Sequence, residues 1–101
     1  PGTVTASTGD VKLGTAGKGL FVKEGSNAKQ GTATLSSGTV VVANTAVTAN
    51  SRIFLTAQTL GTVTAPSALT VSARVASTSF TILASQLTDT SIVAYEIFEP
   101  G

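Results

Sequence analysis

The chain has no cysteine, histidine, methionine or tryptophan, and its aromatic residues are four Phe and one Tyr. Each absence removes a class of chemistry. Without cysteine there is no disulfide and no thiolate metal site, and the redox compartment is left undefined. Without histidine a Ser-His-Asp triad is impossible, and the usual zinc constellations go with it. Charge is scarce as well: 11% of residues are charged and the net charge is +1, so there is no electrostatic footprint for nucleic acid. Lys12, Lys18, Lys23 and Lys29 give the first third a mild positive bias, but they are dispersed as on solvated loops. No apolar run approaches a membrane span, and the polar opening PGTVTASTGD is no signal peptide. Pro1 fits removal of an initiator Met and excision of a fragment equally.

The motifs that remain are weak. Asp10, Glu24, Asp89, Glu96 and Glu99 are the carboxylates, and nothing in their spacing argues for the paired acids of glycoside hydrolysis. GTAGKG at 14–19 has two residues where a phosphate loop needs four before its Gly-Lys, and Gly19 replaces the hydroxyl residue; it reads as a turn before a short strand in LFVKEG. Thr-x-Thr at 3–5, 32–34 and 62–64 shares no period and reads as single Thr residues on wet strand faces. There is no glycosylation sequon and no calcium loop. No catalytic, metal or cofactor site is predicted, and enzyme activity is not expected.

Against these absences stand 18 Thr, 14 Ala, 11 Val and 11 Ser. Thr and Val suit a pleated surface, and no helical apolar period is present for Ala to support. The fold class is therefore all-β. Seven of the ten Gly fall within residues 1–31, which predicts an extended, Gly-rich N-terminal arm over 1–31 and a body over 32–101. In the body, turn signals at SSG, AN, LGT, APS, AST and TDT bound candidate strands near 32–35, 39–43, 46–49, 52–58, 68–75, 79–84 and 91–98. This is the pattern of a small antiparallel β-sandwich, jelly-roll-like in its wrapping. In LTVSARVA, alternation puts Leu69, Val71, Ala73 and Val75 on one face and Thr70, Ser72 and Arg74 on a wet one.

Two strands ask for cover on both sides. In NSRIFLTAQ, Ser51, Ile53, Leu55 and Ala57 share one face, while Arg52, Phe54 and Thr56 share the other. In SIVAYEIFE, Ile92, Ala94, Glu96 and Phe98 oppose Val93, Tyr95, Ile97 and Glu99. A monomeric sandwich covers one face per sheet, and a domain this small and poor in aromatics builds a thin core. Association with further chains is the economical remedy. Arg52, Phe54, Tyr95, Glu96 and Phe98 are thus the candidate interface and structural residues. Arg52 and Glu96 each break an otherwise apolar face, which suggests a pair, within one subunit or between subunits; two edge residues reaching solvent separately is the other reading.

Read in order, GKGL at 17–20, VKEGSNA at 22–28, GTATL at 31–35, NTAVTANSRIFLT at 44–56, SFTI at 79–82 and DTSIVAYEIFEP at 89–100 resemble a module found in structural proteins of tailed bacteriophages and prophages. The resemblance covers about nine-tenths of the chain and brings no catalytic motif. It implies a virion-surface component: a module closing tail-spike or fibre chains behind a β-helical shaft. Homotrimers are the implied state, since composition argues for association and the resemblance supplies the number three. The implied partners are other virion proteins, shaft or capsid, with host-surface glycan as a further candidate. Neither nucleic acid nor membrane insertion is expected. The alternative is a small trimeric capsid decoration or head-fibre protein, with a depolymerase fragment behind both.

Overall fold

A computed structural model describes residues 2–101, and it is all strand and loop. Six strands follow in order: β1 (Gln30–Thr34), β2 (Thr39–Ala43), β3 (Arg52–Thr59), β4 (Leu69–Val75), β5 (Ser79–Ala84) and β6 (Ile92–Phe98). They make two antiparallel three-stranded sheets, ordered β1-β6-β3 and β2-β5-β4. The pairings nest: first strand with last, second with fifth. Strands β3 and β4 then take the free sides of β6 and β5. This is jelly-roll wrapping carried by six strands instead of eight.

One core joins the sheets. Phe80 and Ile82 from β5 meet Val93, Tyr95 and Ile97 from β6, with Leu35 and Val47 supplied by connections. Phe80 and Tyr95 pack edge to face with ring centroids 5.1 Å apart, the geometry that aromatic quadrupoles favour. A Cβ at Gly31 would lie 2.6 Å from the Tyr95 hydroxyl oxygen, so the β1 glycine leaves the room that the Tyr95 ring occupies. The first turn also follows its residues. Ser37 and Gly38 both take positive φ, 52° and 76°, and Ser36 and Thr39 exchange backbone hydrogen bonds around them. That is the primed two-residue turn that Gly makes affordable.

The structure corrects three expectations. Residues 46–49 are not a strand. Val47 is buried as its apolarity suggests, but Ala46 N donates to Asn44 Oδ1 at 2.8 Å and Thr48 N to Ser51 Oγ at 2.8 Å. Side chains have taken the donors a sheet ladder would need. No strand forms in 20–25 either. The third correction concerns β4, whose alternation breaks at a bulge between Val71 and Ala73. Two residues face one partner there, so the faces exchange. Beyond it Arg74 stands opposite Phe80 in register yet remains exposed, as its wet-face assignment expects, and Val75 turns outward and is exposed.

Residues 2–26 form no strand and are exposed throughout. Beyond a surface hydrogen bond from Gln30 Nε2 to Glu24, the segment is tied to the body from Asn27, whose Oδ1 accepts from Thr45 N at 2.9 Å. Ala28 O accepts from the buried Asn44 amide at 2.7 Å, and Lys29 O accepts from Ile97 N at 2.7 Å. Within the expected arm, then, residues 27–31 are tied into the sandwich and β1 starts before residue 32.

Candidate functional site

The outward face of the β1-β6-β3 sheet carries four of the five predicted residues, Arg52, Phe54, Glu96 and Phe98. Register places Arg52 opposite Phe98, Phe54 opposite Glu96, and Thr56 opposite Ala94. On the other flank, Gln30 faces Glu96 and Thr32 faces Ala94. Phe54 and Phe98 meet edge to face with centroids 5.4 Å apart, yet they remain 64% and 49% exposed. Both rings stay mostly in water, held together but uncovered. Beside them runs an open groove of about 410 Å³, floored by Phe54, Thr56 and Ala94 and edged by Gln30, Glu24 and Glu96.

Four of the five predicted residues therefore share one surface, and Tyr95 lies behind it in the core. Arg52 and Glu96 sit diagonally on that surface, two residues apart in register. No ion pair joins them within the chain; among the described residues the ion pair is Lys29–Glu99, at 2.7 Å.

Two polar clusters went unseen in the sequence. Glu99 accepts from Lys29 Nζ at 2.7 Å, Ser51 Oγ at 2.6 Å and Thr48 Oγ1 at 2.7 Å. The Lys29 ammonium first, then the two hydroxyls, hold its carboxyl at about 2, from the usual 4.5. Lys29 Nζ also donates to Ala46 O at 2.8 Å, so one clasp joins the loop entering β1, the 46–51 loop and the residue after β6. Arg74 Nε reinforces it by donating to Ser51 O at 2.7 Å. At the other cluster, Asp89 accepts from Ser67 Oγ at 2.5 Å and Ser91 N at 2.8 Å. Those donors, Ser67 foremost, lower its pKa despite burial. Both clusters bind loops together. Neither opens onto the groove, and among the described residues no group of acidic side chains is placed to hold a metal.

Residues 27–98, 72 of the 101, match the family described as K1 capsule-specific polysaccharide lyase, C-terminal domain. The chain belongs to that family. The match begins at Asn27, which accepts from Thr45 N, and ends at Phe98, where β6 ends. It agrees with the resemblance to a tail-spike C-terminal module. No match was found among curated proteins or among solved structures.

Proposed function

We propose that this domain is a non-catalytic structural module of a bacteriophage surface projection, a tail spike or fibre, and that it works as a homotrimer. The carrying observation is the face just described: a member of a lyase C-terminal-domain family leaves Phe54, Phe98 and Arg52 exposed in the single chain, beside a half-buried Glu96. Apolar area held open beside unpaired opposite charges is what an assembling surface presents. The family's description as a lyase's C-terminal domain supports a reading in which the domain follows a polysaccharide-degrading body, where an assembling module would hold catalytic chains together and present them to host-surface glycan.

Light scattering on the purified chain at micromolar concentration should give about three times its 10.0 kDa mass. A monomer at that concentration refutes the assembly reading. Release of unsaturated sugars from purified K1 capsular polysaccharide by this chain refutes the non-catalytic one. Antibody labelling of virions should mark tails; labelling confined to heads would assign the chain to capsid decoration.

A further inference from the structure

Before Asn27 the chain carries apolar residues that nothing in the subunit covers. Phe21 is 99% exposed and Leu20 76%, in the stretch Lys18-Gly-Leu-Phe-Val-Lys23. A solvated linker gains nothing from Leu-Phe-Val. The fold does not direct this stretch back onto its own sandwich. Glu24 stands at the groove's edge, accepting from Gln30 Nε2 at 3.3 Å, and residues 20–24 lead away from it without backbone hydrogen bonds of their own. The radius of gyration is 15.4 Å, against about 13 Å for a compact chain of this length.

The groove has the complementary character. Its floor offers Phe54 and Ala94, and its rim carries two carboxylates, Glu24 and Glu96. The Glu96 backbone is paired within the sheet, but its carboxylate has no ion-pair or side-chain hydrogen-bond partner among the described residues. The exposed stretch is apolar at its centre and basic at both ends.

We infer that residues 18–23 of one copy dock in the β1-β6-β3 groove of a second copy. Leu20 and Phe21 lie on Phe54 and Ala94, and the flanking Lys18 and Lys23 reach Glu96 and Glu24. This rests on the assembly reading above and adds which segment makes the exchange and which surface receives it. An exchanged arm lets each chain cover its neighbour's open face at the cost of ordering few residues, since residues 27–31 are already fixed to the body.

The absence of cysteine makes the test clean. The full chain carrying Phe21→Cys and Thr56→Cys, oxidised in dilute solution, should give covalent dimers and larger species. A disulfide closed within one chain, or no disulfide, overturns the proposal. Phe21→Asp and Glu96→Lys should each weaken self-association by about tenfold or more, with circular dichroism unaltered because both sites face outward. Mixing these two variants should restore one interface, with the intact arm of Glu96→Lys seated in the intact groove of Phe21→Asp. If both variants keep the parent's assembly, the arm proposal fails and the assembly reading survives; a monomeric parent sinks the assembly reading itself. Retention of K1 capsular polysaccharide that Phe54→Ala abolishes, with assembly unchanged, would give the groove to a glycan and overturn arm exchange.

Discussion

A carboxylate that accepts three hydrogen bonds, one from a cation, resists protonation, and Glu99 is such a group. The sign of its effect on stability follows from the direction of its shift. The folded pKa, about 2, lies below the usual 4.5, so its contribution is complete above about pH 4.5 and is lost as pH falls toward 2. Glu99→Gln should therefore flatten the fall in thermal midpoint between pH 4.5 and 2, which scanning calorimetry across that range would measure. An equally steep fall in the variant would mean that other acids drive it. Gly31 offers a second test at this scale. Gly31→Ala places a methyl 2.6 Å from the Tyr95 hydroxyl oxygen, in a ring pinned by Phe80. Overpacking of this kind costs about 1–3 kcal/mol. Because the hydroxyl is the nearest atom, the same change in a Tyr95→Phe background should cost less, and a double-mutant cycle reads the difference. Strictly additive costs would show that the hydroxyl is not what collides.

Among the elements, those whose burial alternates without interruption were legible. β3 turns Ile53 and Leu55 inward, and β6 does the same with Val93, Tyr95 and Ile97, as a period of two requires. The outward grouping of Arg52, Phe54, Glu96 and Phe98 follows from that alternation, so the candidate face was legible too. What escaped depends on partners distant in the chain. No local pattern announces that the Ser72 region will bulge, or that Asn44, buried at 1% exposure, will be satisfied by Ala28 O. The Glu99 clasp spans 70 residues back to Lys29. Glycine frequency placed the arm's end at 31, whereas hydrogen bonds to the body come earlier, at Glu24 on the surface and at Asn27 and Ala28 against residues 44 and 45. The difference is testable by truncation. Removing residues 1–26 should leave the sandwich folded, since those residues are exposed throughout. Removing 1–31 takes away Ala28 and the start of β1, and stranding the Asn44 amide alone costs about 1–3 kcal/mol. Urea titration should show the longer deletion losing at least that much beyond the shorter one. Equal stability of the two truncations would return the boundary to residue 31.

The whole molecule has unequal outer faces. On the β2-β5-β4 side Val41, Val75 and Leu83 are exposed, but no aromatic pair or charge stands among them in the paired register. The β1-β6-β3 side has the Phe54–Phe98 pair with an unpaired charge beside each ring. If assembly uses the second face, folding and association are linked, and the midpoint of thermal unfolding should rise with chain concentration. Phe54→Ser with Phe98→Ser removes the aromatic pair from a face that is mostly in water within the subunit. It should weaken association by about tenfold or more and flatten the concentration dependence, while the dilute-limit midpoint stays close to the parent's. Val41→Ser, equally exposed at 65% but on the opposite sheet, is the matched control and should leave the concentration dependence intact. The reverse pattern, with Val41 sensitive and the two phenylalanines silent, would move the assembling surface to β2-β5-β4. The groove, the arm and the aromatic pair would then need a different explanation.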